Sequence, residues 1–442
     1  MKKTNVKRIV CLILALLLVC SMLPACAGGG EDTDDEIVEI EFWHKYSGDV
    51  HAEHITEMIT LFMEQNPNIV VKELGLPFGD YNQKIETALA SGSAPDLLIG
   101  DLDNTPRARA MKGQILNLQE YAEEAGFDTS VFFPATVEMC QYEGDLYALP
   151  FITDTRVLYW NKEHFAEAGL DPEVPPKTWD EVMAYNEKLT IINESGEIER
   201  LGYSTEIGYF GEWTLGWTYG AELWNEDGTP NINSPEMLQA MNTAMAIRDQ
   251  VGSEAFGAFN ANSYACGYSP FVEETVSMTI DWNGLYSDIL LYNPDMDFGV
   301  ALIPTMDGET NRASWGSGFS LEITDKGDEA RAEAAFKLAM FLCSTEVATS
   351  FVLECSDFVC NAEAYNDPAV QADPVWALFA ESGEYTRFHH FVPEYPTWHY
   401  SILTPEWQAA MAGTKSPEQA LQDAEDWINE EIENYRKMHP NG

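Results

Sequence analysis

Basic residues are scarce in this chain. Against 73 Asp and Glu it carries only 24 Lys and Arg in 442 residues, a formal net charge of −49. A surface so acidic repels phosphate backbones and anionic head groups, which excludes nucleic acid binding and a polybasic membrane patch. Cysteine is sparse as well: eight residues, none of them in a CxxC pair, which argues against a zinc site and a disulfide framework. The short signatures of catalysis are missing too. There is no Gly-x-Ser-x-Gly elbow, no His-Glu-x-x-His and no Gly-x-x-x-x-Gly-Lys loop. So many acids guarantee carboxylate pairs, but nothing in the spacing sets two of them about a scissile bond. No enzyme, cofactor or metal is expected. Internal repeats at solenoid periods are also absent.

What is present points to a folded, two-domain, exported protein. The length exceeds what one core usually organises, and the 45% hydrophobic content is ample for burial. Lys2, Lys3, Lys7 and Arg8 precede an unbroken apolar run from Ile9 to Val19, a pattern too short for a membrane span and suited to an export signal over residues 1–25. Leu23-Pro24-Ala25-Cys26 then resembles a bacterial lipobox, with Cys26 as the lipidated residue; an ordinary signal peptide with an incidental cysteine is the competing reading. Residues 27–36, Gly-rich and then acidic, read as a flexible tether. Cys140, Cys266, Cys343, Cys355 and Cys360 remain, an odd set in which Cys355 and Cys360 could close a short loop.

Hydrophobic periodicity predicts the elements. Ile37 to Trp43 alternates as a strand, His51 to Gln65 is helical, and Ile69 to Leu74 is a second strand. Asp80 to Ala90 is a helix ended by Ser91-Gly92-Ser93-Ala94-Pro95, and Asp96 to Ile99 is a buried strand. This β-α-β-α-β order implies a parallel sheet covered by helices, with ligands at the carboxyl ends of its strands. Leu146 to Trp160 holds two apolar runs around Thr153-Asp154-Thr155. Thr178 and Glu181 form a capping box for a helix through Leu189. Val272 to Ile280, Phe298 to Ile303 and Ser317 to Ile323 read as strands, and Glu329 to Cys343 and Ser416 to Tyr435 as helices. The expected fold class is α/β, with the chain crossing between two domains more than once.

Several segments, taken in order, resemble one family. They are Phe42-Trp43, Gly92-Ser93-Ala94-Pro95-Asp96, Gly144-Asp145-Leu146-Tyr147-Ala148-Leu149-Pro150, and the long stretch from Leu158 through Trp179-Asp180-Glu181. Ser277-Met278-Thr279-Ile280-Asp281-Trp282 and the helix start Ser416-Pro417-Glu418-Gln419-Ala420-Leu421 follow. Together they are similar to the extracellular solute-binding proteins, family 1, of ABC importers, the sugar-binding branch that includes maltose- and oligosaccharide-binding proteins. The resemblance implies two lobes, each a sheet flanked by helices, joined by a multi-crossing hinge that closes over ligand. It places lobe one at about 37–153 plus 315–355 and lobe two at about 154–314 plus 356–442. It further implies a monomer, lipid-anchored on the outer face of the membrane of a Gram-positive cell (periplasmic in a Gram-negative one), that delivers a carbohydrate, foremost an oligosaccharide, to permease subunits with a cytoplasmic ATPase.

A neutral sugar presents hydroxyls that need directional partners and C–H faces that stack on rings, so its site wants carboxylates beside Trp and Tyr. At the strand ends that the resemblance turns toward the cleft, the candidates are Trp43, His44, Tyr46, Asp101, Asp103, Asp154, Tyr209, Phe210, Trp213, Trp282, Trp315 and Trp398. Core packing competes for each Trp, and helix capping competes for Asp101 and Asp103. Trp160, Trp179, Trp217, Trp224 and Trp407 are assigned to packing. His51 with His54, and His389 with His390, lack a third metal ligand nearby in sequence. The other readings are a polyamine or similar cationic solute held by the acids and aromatics, and a surface glycoside hydrolase or lyase using the same aromatics as subsites.

Overall fold

The computed structural model describes residues 37–439. The leader, Cys26 and the tether lie outside the described residues. Strand β1 (Val38–His44) buries Ile40 and Phe42 on one face and leaves Glu39 and Glu41 on the other. Helix α1 (Val50–Gln65) starts where the Asp49 carboxylate accepts the Ala52 N–H at 2.9 Å, and it buries His54, Ile55, Met58, Ile59 and Phe62. Strand β2 (Ile69–Gly75), helix α2 (Phe78–Ser91) and strand β3 (Leu97–Asp101) follow, with β1 parallel to both β2 and β3.

The chain then builds β4 (Ala148–Thr153), β5 (Arg156–Asn161), β6 (Met278–Trp282), β7 (Phe298–Ala301), β8 (Gly318–Ile323) and β9 (Phe358–Val359). The first sheet has the order β9-β4-β8-β3-β1-β2, in which β8 runs antiparallel to β3 and β4. It is thus parallel over the first three strands, as the periodicity predicts, and mixed beyond them. The second sheet, β6-β5-β7, is antiparallel. All six residues of β5 are buried, with Val157 and Tyr159 on one face, Tyr159 against Phe271 at 6.1 Å, and Leu158 and Trp160 on the other, in the core of the second lobe. Between Val272 and Ile280 only the end is strand: a turn at 270–275, with Glu274 at φ +59°, delays it to Met278. The capping box at Thr178 forms as expected, with Glu181 N–H donating to the threonine Oγ1 at 3.2 Å.

One expected boundary is corrected by packing. Residues after 355 do not all belong to lobe two. Strand β9 pairs with the edge of β4, and Cys360, Tyr365, Trp376 and Phe379 are buried with the first core. The chain returns to the second sheet with the helix Pro374–Gly383, which packs on β5 and β7, and to the second core at Val392, Trp398 and the helices Thr404–Met411 and Pro417–Met438. Cys355 and Cys360 do not bridge, and Cys140, Cys266 and Cys343 are also free thiols. No single helix among the described residues is long and apolar enough to cross a membrane.

Three crossings link the lobes: Asp154–Thr155 between β4 and β5, Ser314–Ser317 before β8, and Thr386–Arg387, which pairs in parallel with Ser314–Trp315. A buried hydroxyl cluster ties them. Thr155 Oγ1 lies 2.9 Å from Ser314 Oγ and 2.7 Å from Ser382 Oγ, and Thr386 Oγ1 donates to it at 3.2 Å. These small hydroxyls satisfy one another out of water.

Candidate functional site

A cavity of about 770 Å³ opens between the carboxyl ends of β1 and β3, the first two crossings, and the end of β6. It draws from both lobes. Tyr46, Phe78, Asp101, Asp103 and Phe319 come from the first, Trp282, Asn283 and Asp288 from the second, and Thr153, Asp154 and Ser317 from the hinge.

The lobe-one wall is built around a cation. Lys45, only 3% exposed, directs its ammonium between the rings of Phe319, Tyr81 and Phe78 at 4.3, 5.2 and 5.3 Å, and pairs with Asp101. Burial pulls its pKa down while Asp101 opposes the shift. Asp101 also accepts from Asn82 Nδ2 at 2.8 Å, so it is a held carboxylate with an exposed edge. Phe78 is 64% exposed, a large apolar face left in water at the mouth of the cavity. The facing platform is Trp282, 41% exposed, with Tyr209 beside it at 6.5 Å between centroids.

Two details fix that pair. Gly208 sits at φ +93°, and a Cβ there would lie 2.4 Å from the Ile280 carbonyl oxygen, so only glycine lets this loop run alongside β6. The buried Asp281 carboxylate accepts the Trp282 N–H at 2.9 Å and meets the Tyr209 backbone; desolvation raises its pKa to about 7. The hinge wall is Asp154. It pairs with Arg156 and accepts from the Ser317 N–H and hydroxyl, both at 2.6 Å, so it staples the first crossing to the second.

Of the residues expected from sequence, the structure gathers Tyr46, Asp101, Asp103, Asp154 and Trp282 around this cavity, with Tyr209 adjoining Trp282. The others do not line it. His44 is buried against Glu73 at 3.0 Å, and Trp43 packs on the first core. Phe210 lies against Trp179 at 5.7 Å. Trp398 is fully buried, edge-on to Trp224, and donates to the His390 carbonyl at 3.3 Å. Trp213 and Trp315 meet edge-to-face at 5.1 Å in the interior behind the hinge, with the Arg156 guanidinium stacked on Trp315 at 3.9 Å. Sequence reasoning missed Lys45, Phe78 and Phe319. Lys45 sat inside the singled-out run Trp43 to Tyr46, and its burial follows from strand pairing that the sequence does not display.

A second opening of similar size lies against Thr386–His390. Its charged lining is paired, Arg107 with Glu138 and Arg387 with Glu222, and His390 stacks on Trp224 at 4.9 Å.

The family profile described as bacterial extracellular solute-binding protein matches residues 48–349. Among curated relatives, the sn-glycerol-3-phosphate-binding periplasmic protein UgpB of Salmonella typhimurium is 25% identical over 432 residues, covering 91% of this chain and 94% of its own. Among solved structures, CpMnBP1 with mannotriose bound is 26% identical with a TM-score of 0.72, covering 89% of this chain and all of its own. An ABC transporter solute-binding protein of Thermotoga lettingae with α-D-tagatose bound is 25% identical with a TM-score of 0.69, covering 89% and 100%. Two lobes, a multi-crossing hinge and a profile match over most of the chain lead to one conclusion: this protein belongs to the bacterial extracellular solute-binding protein family.

Proposed function

We propose that the protein captures a neutral carbohydrate, foremost an oligosaccharide, in the cavity between its lobes and delivers it to the membrane permease of an ABC importer. The observation that carries this reading is the pair of exposed aromatic faces, Phe78 and Trp282, presented from opposite lobes across a lining of held carboxylates. Rings cover C–H faces, and Asp101, Asp103, Asp154 and Asp288 accept from hydroxyls. Mannotriose in CpMnBP1 and tagatose in the Thermotoga protein are consistent with that class. UgpB is named for an anionic ligand, but here the two nearby cations, Lys45 and Arg156, are already paired with Asp101 and Asp154. The acidic lining disfavours a phosphate.

Binding works by population shift. Ligand touching both lobes stabilises the closed arrangement, and the permease reads that state. The site residues proposed for contact are Tyr46, Phe78, Asp101, Asp103, Asp154, Tyr209 and Trp282. Lipidation at Cys26, display as a monomer on the outer membrane face, and the absence of catalysis complete the reading. A thermal-shift screen against neutral oligosaccharides, monosaccharides, glycerol phosphate and polyamines tests it. Ligand at 100 times Kd stabilises by about 2.7 kcal/mol. A salt-insensitive rise with a neutral sugar supports the proposal. A rise confined to polyamines that collapses with salt, or new reducing ends appearing over time, overturns it.

A further inference from the structure

Asp103 meets two histidines far away in sequence. His389 Nδ1 lies 3.3 Å from Asp103 Oδ2. The rings of His389 and His399 are parallel, with centroids 3.5 Å apart and an interplanar angle of 12°. One ligand atom from each of the three residues falls within 4.8 Å of the others. Both imidazoles are nearly inaccessible, at 2% and 3% exposure.

Their polar atoms are orphaned. His389 Nε2 and both nitrogens of His399 have no hydrogen-bond partner. Whichever tautomer His399 adopts, it keeps a buried N–H and a buried lone pair unmet, which is unfavourable out of water. The rings of Trp213, at 4.5 and 5.5 Å, of Trp398, at 6.2 and 5.4 Å, and of Tyr400, at 6.0 and 4.2 Å, flank the pair, and none of them hydrogen-bonds to the orphaned nitrogens. Burial and the neighbouring imidazole push the His399 pKa down to about 2, so the ring is neutral and holds a basic nitrogen. Two buried imidazoles short of hydrogen-bond partners and one part-exposed carboxylate form an incomplete donor set.

We propose that Asp103, His389 and His399 bind a divalent transition-metal ion, with zinc the best-matched class. Tetrahedral zinc takes N and O donors at about 2.0–2.2 Å, which sets neighbouring donors about 3.3 Å apart. The His389–Asp103 pair is already at that spacing. A tilt of the His399 ring out of the stack brings in the third donor. Hard cations such as calcium and magnesium prefer all-oxygen cages and fit poorly. Asp103 lies in the loop after β3 and the histidines lie beyond the third crossing, so the ion ties the first sheet to the C-terminal segment at the margin of the cleft.

The test uses the purified protein stripped with a chelator, then titrated with zinc chloride by calorimetry and thermal shift, with no sugar present. Magnesium and calcium serve as hard-ion controls. One zinc per chain is expected, with His389→Gln and His399→Gln each weakening it at least about tenfold, since even outer-shell partners carry about 10–100-fold in metal affinity. His51→Gln is the site control, because His51, Cys355 and Asp357 form the other cluster of possible ligands among the described residues. Its zinc affinity is expected to stay unchanged. Should a histidine variant lose its circular dichroism spectrum, Asp103→Asn supplies the same readout from a part-exposed side chain. No zinc binding at millimolar concentration, or binding lost in His51→Gln and kept in the other variants, overturns the proposal. Neither outcome decides sugar capture, in which Asp103 is one of seven proposed contacts and the two histidines have no part.

Discussion

Trp282→Ala removes the lobe-two platform, and its size can be worked from exposure. A tryptophan offers up to about 250 Å², and 41% of this one is in water, so a stacked sugar covers at most about 100 Å². At about 25 cal/mol per Å² that is up to about 2.5 kcal/mol, and partial coverage lowers it to about 1.5. Sugar affinity should therefore fall by about 10- to 60-fold in calorimetry, with a smaller loss of stability than for a core tryptophan, because this ring belongs to neither hydrophobic core. Gly284→Ala makes a finer cut. Its backbone is ordinary, but a Cβ there meets the Trp282 ring at 2.5 Å, so the platform is displaced rather than lost. Affinity should drop in this variant too, by less than in the alanine variant. Trp398→Ala is the contrast: that ring is fully buried, so the expected result is about 3–5 kcal/mol of lost stability. If Trp282→Ala and Gly284→Ala both bind sugar as the native protein does, the assignment of this cavity as the sugar site fails.

Three further outcomes are expected. Asp281 keeps its proton to about pH 7 when folded and loses it near its ordinary value of 3.8 when unfolded; the native state then binds more protons in between, so its contribution to stability falls as pH rises through that window, by up to about 4 kcal/mol. Asp281→Asn should flatten that part of the pH–stability curve in urea titrations. Arg109 joins the fully buried Glu322 at 2.6 Å and Glu86 at 2.7 Å, so Arg109→Met should cost about 3–5 kcal/mol by stranding a buried carboxyl, and adding Glu322→Gln should recover much of it. Alkylation followed by mass spectrometry should label Cys266 first among the five thiols at 140, 266, 343, 355 and 360, because it alone is exposed; the others should react after denaturant is added.

Local signals carried much of the fold. Alternation in β1, the helical spacing of Ile55, Met58, Ile59 and Phe62, and the Thr178–Glu181 box each specify structure within one or two turns of chain. The strand ends naturally bring Tyr46, Asp101 and Asp103 to one rim, because parallel strands point their carboxyl ends the same way. The five candidate tryptophans were less legible. Trp282 and Trp398 follow similar local contexts, yet one is a platform and the other is sealed in the second core. Composition cannot separate them, since what differs is the set of helices packed on top.

The sequence by itself determined the acidic character, the α/β alternation and the family, because charge, hydrophobic period and short motifs are properties of neighbouring residues. Only the tertiary structure decided which aromatics face the cavity, that Lys45 is caged by three rings, that residues beyond 355 rejoin the first sheet, and that Asp103 meets His389 and His399. Each of these joins residues from distant parts of the chain, and long-range packing, which no local pattern encodes, sets their distances.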